Sequence, residues 1–299
     1  MLSRDIPAEG ITMTLANENI AAALSEQGYP LKQHIVSLLN SGTARQKLEW
    51  QIEASDMSFS LPNHFRSHVD FVLKRRSHLP PSMPDNQCHV VMKCKRATPD
   101  YDHWVFYSDI NPANGLLSNR YHIEFAQASS SDPHQFKHAL NPIAVVRECP
   151  VFERFVETRI ETRFNKHKAA SSTVAIEDAL HQVTLGQTGL ANTIHKTNIQ
   201  MFRLIPVVVT TAELMSGHFD GEKVSLDDIE NQPPDLKPEP RKWLAINYHI
   251  SEVAAHFFTD NNKLNSVAKH LASRRLRTVF VVQAKHIQPF LEWLHKNNF

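Results

Sequence analysis

Residues 201–214 read MFRLIPVVVTTAEL. Apart from Arg203, nothing from Met201 to Val209 is polar, so no alternation separates an inner from an outer face. A strand of this kind is buried on both sides, as in the middle of a sheet covered above and below. Residues 277–296, RTVFVVQAKHIQPFLEWLHK, give a second buried strand followed by a helix. Upstream, VAIEDALHQVTLGQTGLANTIHKTN (174–198) reads as a long helix. SHVDFVLKRR (67–76) and CHVVMKCKR (88–96) are rich in β-branched and aromatic residues and read as strands. They look like antiparallel neighbours joined by the proline-bearing loop SHLPPSMPDNQ (77–87). Helices alternating with buried strands predict an α/β domain: a central mixed β-sheet flanked by helices on both faces.

The remaining segments fit around this sheet. Residues 16–40 read as helical, in two pieces broken at QGYP. Pro30 suits a helix start, where its missing N–H costs nothing, and Leu31, Ile35, Leu38 and Leu39 form one apolar stripe. RQKLEWQIEAS (45–55) fits a helix or a strand equally. VFERFVETRIETRF (151–164) predicts an amphipathic helix, QASSSDPHQ (127–135) a polar loop, and residues 227–243 an acidic, proline-rich surface connection. That connection could divide two domains. The chain beyond it supplies only a strand or two and a helix, which reads better as completing the first sheet. The expectation is one domain over 1–299 with an N-terminal helical extension.

Bulk properties narrow the function. The 299 residues carry a net charge of +1, so any basic site is local rather than global. Cys88, Cys94 and Cys149 are too few for a disulfide framework and lack zinc-ligand spacing. His249 and His256 have no third partner for a metal. No segment offers the ~20 apolar residues that cross a bilayer, and the first residues lack a secretory apolar core. A cytoplasmic protein with no membrane attachment is expected.

The chemistry centres on two strands. Asp70 lies mid-strand among apolar neighbours, a costly position for a carboxylate without a partner or a task. Lys93 and Lys95, two apart on the next strand, face one way and Cys94 the other. Lys95 could reach Asp70. An ordinary half-buried ion pair and an active site explain that spacing equally well.

GYPLKQHIVSLL, HVDFVL, HVVMKCKR, DHWVF and IPVVVTTAEL occur in an order that resembles the PD-(D/E)XK nuclease superfamily, restriction-endonuclease-like domains of bacterial proteins. The resemblance covers residues 28 to about 215. It implies a metal-dependent endonuclease hydrolysing DNA with Mg²⁺ or Mn²⁺, in which Asp70 holds the metal and Lys95 assists the attacking water. Hard oxygen ligands suit Mg²⁺, the ion activates water, and a nearby lysine stabilises the developing charge. Such proteins often serve in defence against foreign DNA beside a partner protein, as monomers or homo-oligomers.

The chain departs from the family at two of three metal-facing positions. Lys93 stands where a carboxylate is expected two residues before Lys95, and Lys32 where the first helix is expected to carry glutamate. Two unit charges ~4 Å apart at an effective dielectric of ~20 interact by ~4 kcal/mol, and a dication by about twice that. Mg²⁺ should bind poorly. Three explanations compete: deliberate inactivation, a degenerate relative that binds nucleic acid or protein without cutting, or carboxylates moved to Glu49, Glu53 or Glu177. Arg66, Lys74, Arg75, Arg76, Lys93, Lys95 and Arg96 make the surroundings basic, as phosphate backbones require. Trp104, Phe106 and Tyr107 could stack bases or belong to the core.

Overall fold

The computed structural model describes residues 29–41, 50–60, 66–75, 86–98, 100–109, 120–128, 136–144, 148–159, 171–194, 201–219, 238–250 and 276–297. They form a mixed α/β structure. Helix α1 (Tyr29–Asn40) precedes strands β1 (Trp50–Ser60), β2 (Arg66–Arg75) and β3 (Asn86–Lys95). Strands β4 (His103–Asp109), β5 (Arg120–Ala128), β6 (Phe136–Ala144), β7 (Val151–Phe152), β8 (Arg154–Thr158) and β9 (Ser171–Ser172) come next. Helix α2 (Val174–Ile194) then leads to β10 (Met201–Thr210), β11 (Glu213–Phe219), β12 (Glu239–Arg241), β13 (Trp243–His249) and β14 (Leu276–Gln283). A short 3₁₀ turn and α3 (Ile287–Lys296) complete the described chain.

The main sheet has nine strands, ordered β1-β2-β3-β10-β14-β13-β7, with β5 on β10 and β6 on β5. β1, β2 and β3 are antiparallel neighbours, whereas β3, β10 and β14 run parallel. β10, the apolar run of residues 201–210, lies at the centre as its sequence demands. A second, five-stranded sheet, β12-β11-β4-β8-β9, was not legible in the sequence.

Alternation along the central strands builds two cores. Phe71, Leu73, Val90, Met92, Val207, Val209, Phe280 and Val282 pack with Leu31, Ile35 and Leu39 of α1 and with Phe290, Leu291 and Leu294 of α3. Val72, Val91, Val208, Val279 and Val281 pack instead with Ile176, Leu180 and Val183 of α2, and with Trp104, Phe106 and Leu214 of the second sheet. Phe290 and Trp293 of α3 stack at 5.7 Å, and both pack against Phe280 of β14.

Helix α2 lies unusually close to the sheet. A Cβ on Gly186 would fall 2.2 Å from Val69 Cγ1, and one on Gly189 2.4 Å from Phe59 Cβ. Each mid-helix glycine costs roughly 0.5–1 kcal/mol relative to alanine. The close approach to β1 and β2 is what the missing side chains permit. The N-terminus of α2 is capped from another element: Glu157 on β8, itself buried, accepts the N–H groups of Ala175 and Ile176 at 2.6 and 2.9 Å.

One expectation is overturned. Residues 151–158 are strands β7 and β8, not the start of an amphipathic helix. Phe152 and Phe155, three apart, mimic a helical stripe, but β8 pairs with β4 from Arg154 opposite Tyr107 to Thr158 opposite His103. Sheet pairing overrides local periodicity. RQKLEWQIEAS resolves as strand from Trp50 onward. Residues 16–28, most of the 227–243 connection, Glu49, Arg76 and His256 lie outside the described residues.

Candidate functional site

The parallel run of β3, β10 and β14 sets their carboxyl ends on one edge. Thr210 lies level with Lys95 on one side and Gln283 on the other. Ligand sites of open α/β sheets gather at such an edge, and two pockets open here. One contains Arg96, Thr210, Glu213 and Lys285. The other contains Lys93, Lys95, Arg96 and the start of α2. Arg96 lines both.

Asp70 sits where two strands part. The last rung between β2 and β3 joins Phe71 to Met92. Beyond it, Asp70 Oδ2 accepts the Cys94 N–H at 2.7 Å. On the other side Asp56 lies between the Ser55–Phe71 and Met57–Val69 rungs, level with Asp70, with a left-handed φ of 50°. Aspartate is among the few non-glycine residues that adopt this conformation readily. Lys32, from α1, reaches both carboxylates: its Nζ lies 2.6 Å from Asp70 Oδ1 and 2.8 Å from Asp56 Oδ1. Lys93 Nζ lies 3.6 Å from Asp70 Oδ2. His68 Nε2 completes the group, 3.5 Å from Asp56 and 3.8 Å from Asp70.

Asp70 is 1% exposed, and a buried carboxylate needs donors such as these around it. Asp56, His68 and Asp70 present ligand atoms within 4.8 Å of one another, a spacing compatible with a cation. The Lys32 ammonium lies on two of those oxygens. It acts as the cation of the cluster.

Four sequence expectations change. Of the two β3 lysines it is Lys93, not Lys95, that approaches Asp70, alongside the closer Lys32; Lys95 Nζ pairs with Asp178 of α2 at 3.0 Å. The two lysines share a face as expected, but each meets a different carboxylate. The basic residues do not form one cluster: Lys74 is level with His89 near the start of β3, so neighbouring Arg75 lies about 23 Å along the strand direction from Lys95 at ~3.3 Å per residue. Trp104 and Phe106 are wholly buried, which fits the core alternative rather than an exposed stacking platform. Of the carboxylates that could have taken over the metal, Glu53 is engaged by His89 Nδ1 at 2.9 Å, and Glu177 is on the exposed side of α2. Asp56, His68 and Asp178 were missed. His68 could have been found, because it lies two residues before Asp70 on one strand; Asp56 could not, because its orientation depends on its unusual backbone.

The ionisation states reflect the geometry. The hydrogen bond from Lys32 holds Asp56 below its usual 3.8, and the hydrogen bond with His89 holds Glu53 below 4.5. For Lys32, burial pulls downward, but the bonds to Asp56 and Asp70 outweigh it and raise the amine above 10.5. Depressed carboxylates contribute stability above their unfolded values and lose it as pH falls through the folded ones; a raised lysine contributes below its unfolded value and loses it as pH rises through the folded one. Stability at this site should therefore be level between about pH 5 and pH 10 and fall on either side. Urea midpoints measured across pH check this. A Lys32→Met chain should show a smaller acid-side loss from Asp56 and no alkaline loss from the amine; an unchanged profile would contradict the assignment.

Comparison with protein-family models, with curated proteins and with solved structures returned no match. Among the described residues no helix is long and apolar enough to cross a membrane.

Proposed function

We propose that this chain is a PD-(D/E)XK-type nuclease domain in which Lys32 and Lys93 suppress cleavage, leaving a protein that binds nucleic acid. The observation that carries the reading is the convergence of Lys32 and Lys93 on Asp70, at a point where two strands separate. The resemblance to the PD-(D/E)XK superfamily is what marks the Lys32 and Lys93 positions as metal-facing. A restriction-endonuclease-like arrangement with helices on both faces is supported by the two cores, one shared with α1 and α3, the other with α2. DNA as substrate, a cytoplasmic location and a place in defence beside a partner protein belong to the same reading.

The residues present do not fit the Mg²⁺ or Mn²⁺ that the resemblance implies. Mg²⁺ demands near-octahedral oxygen ligands at about 2.1 Å, and two candidate oxygens already hold the Lys32 ammonium. No hydrolytic step is assigned to the chain as it stands. Its own cations at the carboxyl edge, Lys95 and Arg96, can contact phosphates without a metal.

A plasmid-cleavage assay tests the reading. With Mg²⁺ or Mn²⁺, the Lys32→Glu/Lys93→Glu chain is expected to nick or linearise DNA while the unaltered chain does not. Cleavage by the unaltered chain would overturn the suppression. DNA binding by both with cleavage by neither would favour a non-catalytic binding module.

A further inference from the structure

The pocket between the end of β3 and the start of α2 has a volume of about 510 Å³, within the roughly 300–1,000 Å³ of ligand sites. Three cations line it: Lys93, Lys95 and Arg96. Its two acids are already engaged. Glu157 caps α2, and Asp178 pairs with Lys95. Tyr101 lines the same pocket, half-buried in a turn closed by its N–H to Thr98 C=O at 3.0 Å. Trp104 also lines it, wholly buried, and its Nε1–H has no acceptor among the described residues. An indole N–H is a donor only, and buried donors are almost always paired in native structures. A cationic mouth, a half-exposed phenol and an unpaired buried donor are three features that one ligand would satisfy together.

We propose that this pocket takes one unpaired nucleotide of a single-stranded nucleic acid. The phosphate lies on Lys95 and Arg96, displacing Asp178 from Lys95. The base stacks on Tyr101, and an acceptor of the nucleotide meets Trp104 Nε1–H. Lys93 belongs both to the pocket wall and to the Asp70 ion pair, so the bound backbone passes beside Asp70. The proposal deepens the nucleic-acid reading of the site and rests on it. A duplex would offer the same phosphates but keep its bases stacked, so the pocket selects single strands.

The test is fluorescence anisotropy of the full chain with a labelled oligonucleotide, single-stranded and annealed. The single strand should bind more tightly. Tyr101→Ala should weaken it by roughly 5-fold or more, the size expected for loss of one stacked base, without changing the salt slope. Lys95→Gln should lower the slope of log K against log salt by about 0.7, one phosphate contact on a single strand. Trp104→Phe, which keeps an aromatic ring in the core but removes the indole N–H, should weaken binding with no change in slope in a chain whose melting shows it folded. Equal affinity for both forms, or indifference to Tyr101→Ala in a chain whose melting is normal, overturns the pocket assignment while leaving general nucleic-acid binding standing. Single-strand binding that depends on Tyr101, in a protein whose double-glutamate form never cuts, upholds the pocket and removes the nuclease ancestry. No binding of either oligonucleotide overturns both.

Discussion

Lys32→Met should lower the unfolding free energy by about 2–3 kcal/mol, because it keeps an unbranched side chain but removes the ammonium and the hydrogen bonds it donates. Breaking a buried ion pair costs about 3–5 kcal/mol when the surviving charge has nothing else. Asp70 would keep the Cys94 N–H and the more distant Lys93. Asp56 is largely exposed and can turn to water. Both considerations place the effect at or just below the lower limit of that range. Urea unfolding should show a lower midpoint at unchanged slope, the signature of lost stability without altered compactness. Asp70→Asn combined with Lys32→Met should cost less than the sum of the single changes, because the pair is then removed together. A fully additive cycle would mean that Lys32 and Asp70 are neighbours without being partners.

The larger effect is expected from Lys32→Glu/Lys93→Glu. Two ammonium groups become two carboxylates around Asp70 and Asp56, a local change of four charge units. Without metal the protein should melt well below the unaltered chain. Divalent ions should then reverse the loss, since a ligand that binds only the folded state stabilises it by RT ln(1 + [L]/Kd), about 2.7 kcal/mol at 100 times Kd. Thermal denaturation with and without Mn²⁺ reads this directly. A rise in the midpoint with Mn²⁺ is expected for the double variant alone. If the unaltered chain shifts equally, Lys32 is not holding the cation position. Because this readout is folding rather than turnover, it separates metal binding from catalysis.

Much of the frame was legible because burial leaves a strong imprint. The run from Leu204 to Val209 could only be an inner strand, and Leu31, Ile35 and Leu39 repeat at helical spacing along one face of α1. Asp70 was conspicuous for the same reason, as an acid in an apolar strand. The second sheet was hidden because its strands include short ones whose pairing is entirely long-range: β4 lies beside β11, more than a hundred residues away. Within the site, the identity of the amine at Asp70 turned on how far β2 and β3 remain paired. Alternation put Lys93 and Lys95 on one face, but only the end of the ladder at Phe71 and Met92 decided which of them meets the carboxylate. Asp56 depended on a single left-handed residue, which no pattern of apolar and polar letters records.

That residue has a further consequence at the border of the sheet. β1 is the last strand on its side of the main sheet among the described residues. An open border with regular backbone invites a strand from another molecule to join it, the route to uncontrolled self-association. Here the ladder slips between Ile52 and Ala54, and the chain turns left-handed at Asp56 only a few residues later. The incoming strand would meet donors and acceptors out of step, next to an acidic side chain. The same irregularity that brings Asp56 to Lys32 therefore also makes this border a poor template for another strand.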